Sequence, residues 1–370
     1  MLERGLEEKT YVLNLGPQHP STHGVLRVEL EMEGEFITKA DPDIGYGHRG
    51  HEHMAENRTY PQFLPNMGRV DYLHALAYNH GYCMAVEKLI GLEVPERGEF
   101  VRVITAELNR ITSHLLWVGA YLLDLGAFTP FLYCFDDREN ALDLLDYLTG
   151  SRLTYCFFRF GGVPVDIDDD FTEGCRKFIK RLRGRWKDYD DLVTKNVIFI
   201  HRTRDVGLIT PEQCIKYGLT GPMVRGSGIP YDIRRSEPYS VYPRFDFEIP
   251  IGERGDVMDR YLVRVREMEQ SLRIIEQALD QIPNGPIMAE KVPKRIKPAA
   301  GEVYAAVESA RGEFGCFIVS AGDPKPYRIK LRVPSFGNLS ILPEIAVDTL
   351  VADLVAILGS IDVVVPEIDR

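Results

Sequence analysis

Two histidines, His19 and His23, stand four positions apart in GPQHPSTHG, residues 16–24. On a helix that spacing would put both imidazoles on one face. Pro17 and Pro20 remove backbone donors and fix φ, and Gly16 and Gly24 bracket the segment. A rigid loop carrying two titratable rings is therefore predicted. A second concentration, Asp71, Tyr72, His74 and Tyr78, lies in RVDYLHALAYNHGY. Read as the start of a helix, Asp71, His74 and Tyr78 share one face by i, i+3, i+7 spacing, and Tyr72 points away from it. Each alone is most simply a half-buried polar residue; the concentration argues for more. Asp124 is a lone carboxylate among Leu115, Leu116, Trp117, Val118, Leu122, Leu123 and Leu125. A buried acid needs a partner or its pKa rises, and a histidine would serve. An exposed carboxylate closing a helix before Gly126 is an equally good reading of these residues.

The stretch GYGHRG, residues 45–50, matches GxGxxG in letters. The preceding KADPDI carries a proline and three charges, so no buried strand feeds a phosphate-binding turn there. A turn is expected instead. Arg49 lies between Gly47 and Gly50, where bare backbone can present it. A permanent cation so placed suits a buried anion or a redox centre. His48, His51 and His53 fail the HExxH zinc template, because Ala55 stands where the second histidine would be.

These residues must be positioned by a chain of 370 residues with net charge −11 and an ordinary globular composition. The acidic balance argues against nucleic acid as a partner. The one basic run, RKFIKRLRGRWK from Arg176 to Lys187, is expected to be a solvated or partner-facing helix face. The six cysteines form no CxxC, which fits reduced, mostly buried thiols rather than a disulfide framework or a self-contained metal site. No window approaches the ~18 apolar residues of a membrane span. The start MLERGLEEKT has neither a basic opening nor an apolar run, so no secretory signal is expected.

Alternation over residues 10–41 predicts an antiparallel β-meander with a turn at Gly34. Helices are predicted over Arg69–Ile90, Glu99–Leu125, Asp136–Thr149 (with Asp136 and Asp137 as caps), Phe171–Val193 and Val257–Gln281. Residues 203–255 read as a long irregular segment, a length usually functional or partner-bound. Strands follow at Glu302–Ser309, Phe314–Ser320 and Tyr327–Val333, then a helix Ile341–Leu358 and the tail IDVVVPEIDR. The expected fold class is α+β in three parts. Residues 1–67 form a β-meander with site loops. Residues 68–298 form a long-helix bundle with the irregular insertion 203–255. Residues 299–370 form a β segment, a terminal helix and a tail, and the two β parts are candidates to pack together.

Taken together, LGPQHPSTHG, GYGHRG, RVDYLHALAYNHGY, LLDLGAFTPF, FRFGGV, RGSGIPYDIRR, ESARGEFG and the terminal IDR resemble the D-type subunits of NADH–quinone oxidoreductases (respiratory complex I), from Tyr11 to Arg370. That family is in turn similar to the large subunit of nickel–iron hydrogenases, which implies a hydrogenase-like fold. Hydrogenases hold their metal through two CxxC pairs. Here RVDYLH, residues 69–74, stands at the first place and residues 362–370 at the second, with all four thiolates absent. Nickel–iron centres need soft thiolates, so the residues present argue directly against a hydrogenase, and no metal is expected on this chain.

The resemblance implies a quinone head-group pocket instead. It assigns His23, Tyr72 and Asp124 as catalytic, with His23 and Tyr72 binding the quinone, and Arg49 and Arg69 facing an iron–sulfur cluster of a neighbouring protein in the complex. Quinone reduction adds two electrons and two protons, so a donor is wanted at each carbonyl. Histidine gives a proton readily, tyrosine donates a strong hydrogen bond, and Asp124 would fix the tautomer of His23. His19 would hold the loop's shape. Electrons would come from NADH through clusters on partners, and proton translocation would be coupled to quinone reduction. The implied partners are other complex I proteins: the B-type iron–sulfur protein, the C-type protein, the I-type ferredoxin-like protein and the H-type membrane protein. The implied location is the cytoplasmic side of the cell (inner) membrane, peripheral through those partners. An equivalent protein in a complex fed by ferredoxin or reduced deazaflavin, and a non-catalytic scaffold, are the competing readings. One departure stands out. Thr154 replaces a histidine frequent in the family, which implies a partner cluster whose potential depends less on pH and is lower, as suits menaquinone rather than ubiquinone.

Overall fold

The computed structural model describes residues 10–16, the backbone of 18–19, and 24–370. Strands β1 (Thr10–Leu15), β4 (Arg27–Glu33) and β5 (Phe36–Asp43) form an antiparallel sheet in the order β1-β4-β5. Its alternation is the predicted one: Val28, Leu30 and Met32 are buried between Arg27, Glu29 and Glu31. Short strands β2 (Gln18–His19) and β3 (Gly24–Val25) pair as a two-stranded ribbon. Helices α1 (His51–Glu56), α2 (Tyr60–Val70), α3 (Ala75–Ile90), α4 (Glu96–Asp124), α5 (Phe128–Thr149) and α6 (Asp169–Tyr189) follow. Four short helices come next: α7 (Val197–Thr203), α8 (Pro211–Tyr217), α9 (Pro222–Gly226) and α10 (Ile233–Ser236). Helix α11 (Val257–Gln281) has the predicted bounds. Strands β6 (Gly301–Ser309), β7 (Gly312–Ser320) and β8 (Arg328–Arg332) form a second antiparallel sheet. Helices α12 (Pro334–Leu339), α13 (Leu342–Ile345), α14 (Val351–Ile361) and α15 (Val365–Asp369) close the chain. The architecture is α+β. Helix α4 is its axis: most of its residues from Phe100 to Leu122 are buried, and it packs against α5 and α11.

The structure corrects several sequence expectations. The helix predicted over Arg69–Ile90 is two helices, broken at residues 71–74. Asp71 Oδ1 accepts the N–H groups of Leu73 (2.9 Å) and His74 (3.1 Å), giving the backbone an alternative to helix at that point. Asp136 and Asp137 are not caps: they lie inside α5 and pair with Arg181 and Arg185 of α6. Arg176 and Arg183 of the same basic run pair with Asp280, and with Glu269 and Glu276, of α11. The run is therefore largely neutralised within the chain rather than left for a partner. The helix predicted over Ile341–Leu358 is interrupted, because residues 348–351 pair with β5: Asp348 N–H donates to Ile37 O, and Ile37 N–H to Thr349 O, both at 2.9 Å. The two three-stranded sheets are separate, and this segment, not the second sheet, is what pairs with the first.

Residues 203–255 are not a free functional loop. Arg225, Asp232 and Arg234 are wholly buried and tie this segment to Glu107 of α4, Glu267 of α11 and Glu308 of β6. Charges so deeply buried persist only when paired, which explains why the segment is ordered without regular structure. FRFGGV is held in the same way: Arg102 donates to Arg159 O, and Glu87 accepts from Gly161 N–H.

Thr154 has φ 51°, in the left-handed region. A β-branched residue there is strained by about 1–2 kcal/mol, whereas asparagine tolerates it. Thr154→Asn is expected to raise stability by about 0.5–1 kcal/mol. A thermal midpoint that rises checks this; one that falls contradicts it.

Candidate functional site

The break between α2 and α3 turns Tyr72 out of the helical core. The half-buried Tyr72 and the buried Leu73 line a cavity of about 100 Å³ with Leu116, Trp117 and Ala120 of α4 and with Gly359, Asp362, Val363 and Val364 near the C-terminus. Leu116 and Ala120 are one turn apart on one face of α4. Asp124 continues that face one turn further, about 6 Å along the axis, and is half-buried at the helix end. It is thus neither a core acid nor a fully exposed one.

Trp117 is the firmest wall. Its Nε1–H donates to Gly359 O at 2.8 Å, its ring stacks on Tyr121, and the buried guanidinium of Arg264 lies 4.1 Å from its centroid. Asp362 turns the chain along the cavity with φ 60°, ending α14. Burial raises the pKa of the Tyr72 phenol; Arg311 opposes the rise, and Asp71 and Asp362 add to it. Tyr72 therefore keeps its proton at neutral pH and places an O–H donor on the wall of a cavity lined by both apolar side chains and Asp362.

Behind Tyr72, the turn between β6 and β7 inserts Arg311, wholly buried. Its guanidinium reaches Asp71 Oδ1 at 2.7 Å, Asp362 Oδ2 at 3.4 Å and Glu367 Oε2 at 3.5 Å, and it donates to Ser113 Oγ at 3.0 Å. His74 is a structural pin. Its Nε2–H donates to Ala106 O (3.1 Å), and its Nδ1 accepts from Ala310 N–H (2.8 Å). Burial holds its pKa well below the usual range, so the ring is neutral. Tyr78, also wholly buried, donates to Glu367 Oε1 at 2.6 Å.

The glycine-rich GYGHRG does bind an anion, though not a phosphate. Gly45 and Gly47 N–H donate to the two carboxylate oxygens of Asp369 at 2.8 and 2.6 Å, and His48 Nδ1–H to Asp369 O. A Cβ at Gly47 would sit 3.1 Å from that carboxylate, so a larger residue would crowd it. This clamp presents Arg49 at the surface. Arg69, at the end of α2, is also exposed. The two converge on His51, whose pKa is pushed down to about 4 by burial first and then by Arg49, His48, Arg58 and Arg69.

The structure thus gathers Tyr72 and, one turn beyond the cavity wall, Asp124 on one side, and Arg49 with Arg69 on another. His23 lies outside the described residues. Its neighbour Gly24 lies against Val365, beside the cavity-lining Val364: a Cβ there would meet Val365 Cγ2 at 3.1 Å. Sequence reasoning missed Trp117, Arg264 and Arg311. The indole sat in a row of leucines that reads as core, and the two arginines carry no local signal. Among the described residues, no three His, Cys, Asp or Glu converge as a metal site, and no helix is long and apolar enough to cross a membrane.

Residues 124–299 and 290–370 match the family described as respiratory-chain NADH dehydrogenase, 49 Kd subunit. The chain is 64% identical over 363 residues to the NADH-quinone oxidoreductase D subunit of Syntrophobacter fumaroxidans, covering 98% of this chain and 97% of that one. It is 59% identical to the protein of the same name from Desulfotalea psychrophila, covering 98% of each. It is 50% identical over 365 residues to that of Geobacillus thermodenitrificans, covering 98% of this chain and 100% of that one.

Proposed function

The chain belongs to the respiratory-chain NADH dehydrogenase 49 Kd subunit family, and from that premise we propose that it is the core subunit forming the quinone head-group pocket of a membrane-associated, proton-translocating NADH–quinone oxidoreductase. The observation that carries the reading is Tyr72, its proton retained, on the wall of a cavity otherwise built largely from Leu116, Trp117, Ala120, Val363 and Val364. At about 100 Å³ the cavity holds part of a ring, well short of the ~300 Å³ at which ligand pockets begin. The remainder of the chamber belongs to a partner's surface, and the chain works only within a complex.

Tyr72 donates its O–H to one quinone carbonyl, and as two electrons arrive that oxygen takes the proton. His23 serves the other carbonyl, with Asp124 fixing its tautomer and stabilising its cation. The seat of Gly24 against Val365 is consistent with that placement. Arg49 and Arg69, exposed together near His51, face the partner-borne iron–sulfur cluster that delivers the electrons. Attachment to the cytoplasmic side of the membrane is through partner proteins of the B, C, I and H types. The hydrogenase-like ancestry of the fold is supported by Arg311. It gathers Asp71 from one former thiolate place with Asp362 and Glu367 from the other, so a buried ion cluster stands where a metal centre would be.

Asp124→Asn tests the reading. Losing the carboxylate lowers the pKa of a histidine it stabilises, so the alkaline limb of the quinone-reduction profile moves to lower pH. The rate at neutral pH is expected to fall about tenfold, with reduction of an artificial acceptor upstream of quinone unchanged. An unchanged rate and limb would remove Asp124 from the site.

A further inference from the structure

We propose that the groove between the start of α2 and the β7–β8 turn is a docking site for an acidic, extended segment of a partner protein in the complex. The inference is separate from the quinone-pocket reading, and the groove shares no residue with the Tyr72 cavity.

The groove is preformed. It encloses about 670 Å³, within the ~300–1,000 Å³ usual for ligand sites. Buried Ile296 and Pro326 line it together with Pro61, Pro324 and the exposed Tyr327. Its walls are tied to one another. Tyr60 N–H donates to Pro324 O at 3.4 Å, joining the start of α2 to the turn. Ser320 Oγ–H donates to Pro298 O at 3.2 Å, joining the end of β7 to the chain that enters β6. The prolines fix φ on both sides. A groove held in this way loses little conformational freedom when it is filled.

Charge selects the occupant. The chain carries a net charge of −11, yet Lys294, Arg295 and Lys325 all line this groove, and Lys291 and Lys297 flank the first two along the chain. All five are exposed, and none forms an ion pair among the described residues. Their neighbours Arg328 and Lys330 show the contrast: Arg328 holds Glu56 at 2.8 Å, and Lys330 holds Glu52 at 3.1 Å. The acids left near the five cations are Asp323 in the groove and Glu290 beside Lys291. Positive charge is therefore in surplus, and carboxylates from outside the chain complement it.

Shape selects the form of that occupant. Residues 291–297 contain neither helix nor strand, so their four cations are strung along at most ~25 Å of chain. A compact anion would engage one or two of them. An extended acidic peptide meets them in succession and sets a side chain against Ile296 and Tyr327, an exposed aromatic of the kind that anchors interfaces. A lipid surface, being flat, would meet the rim and leave the concavity unfilled.

The test is zero-length carbodiimide crosslinking of the purified wild-type complex, which joins a lysine to a carboxylate only where the two touch. Lys294 or Lys325 should be joined to one segment of one partner protein, in which Asp and Glu outnumber Lys and Arg. K294E combined with K325E changes only exposed side chains, so the fold is kept. In that complex limited proteolysis should cut the joined segment about tenfold faster than in the wild type. High salt should expose the wild-type segment in the same way, because exposed ion pairs are screened. Links only to Asp323, Glu290 or residues 1–9 of this chain, only to a second copy, only to lipid, or none at all would overturn the docking site. So would a segment cut at the wild-type rate in the double variant. Any of these results beside an inactive Tyr72→Phe would leave the quinone pocket standing; full activity of Tyr72→Phe would remove the pocket and leave the docking site untouched.

Discussion

Tyr72→Phe is expected to lower quinone reduction by the assembled complex about 10²-fold, within the range that a positioned proton donor contributes. The hydroxyl is the reacting group, and phenylalanine preserves the ring that fills the cavity wall. Stability should therefore change little, and electron entry should be intact when assayed with an acceptor upstream of quinone. The loss should appear in kcat more than in KM. The hydrogen bond to the carbonyl strengthens as negative charge develops on that oxygen, so it belongs more to the transition state than to the bound substrate. A scaffold role predicts the opposite: quinone turnover within twofold of wild type.

The largest stability effect is expected at Arg311. Arg311→Met is predicted to destabilise the chain by about 3–5 kcal/mol, the usual cost of leaving buried partners uncompensated. Three carboxyls lose their shared cation, and the link between the α2–α3 break and the C-terminal tail is cut. The sign of the pH dependence follows. Burial and the charge of Asp71 already raise the pKa of Glu367 against the pull of Arg311, so without the guanidinium it rises further above its unfolded value. Glu367 then binds more proton folded than unfolded, so stability falls as pH rises through the ordinary carboxylate range and beyond. The defect should be milder at pH 5 than at pH 8. Arg311→Lys keeps the charge but not the fork, and should recover part of the loss. Thermal unfolding at the two pH values measures this; a loss under about 1 kcal/mol at pH 8 would show the cluster to be less tightly coupled than its distances indicate.

The long elements were legible in the sequence because local pattern dictates them. Helix α11 runs over the expected Val257–Gln281, and α4 extends the expected Glu99–Leu125 to Glu96–Asp124. The breaks were not legible. Asp71 ends helical continuity through its own side chain, and residues 348–351 do so by pairing with a strand more than three hundred positions away. The charge runs misled for the same reason. Arg181 and Arg185 find Asp136 and Asp137 only once α5 and α6 pack, and Arg225, Asp232 and Arg234 read as part of a functional or partner-bound loop until α4, α11 and β6 close around them. At the site, residue types and family resemblance pointed to Tyr72 and Asp124, and the structure places Tyr72 on a cavity wall and Asp124 one helical turn beyond it. The cavity itself depends on contacts between residues 72, 117 and 364, which no window of sequence contains. The sequence predicts only a turn at residues 45–50, and the N–H groups of Gly45 and Gly47 in that turn also hold an anion, the carboxylate of the chain's own Asp369.

The most direct measurement is to irradiate the purified complex with a photoreactive quinone head-group analogue and map the labelled peptides. Label confined to residues 72–73, 116–120 and 359–364, and displaced by excess quinone, is the predicted result. Displaceable label elsewhere on this chain, such as the open groove between Thr59 and Tyr327, or none on this chain at all, would contradict the assignment of the Tyr72 cavity to the quinone.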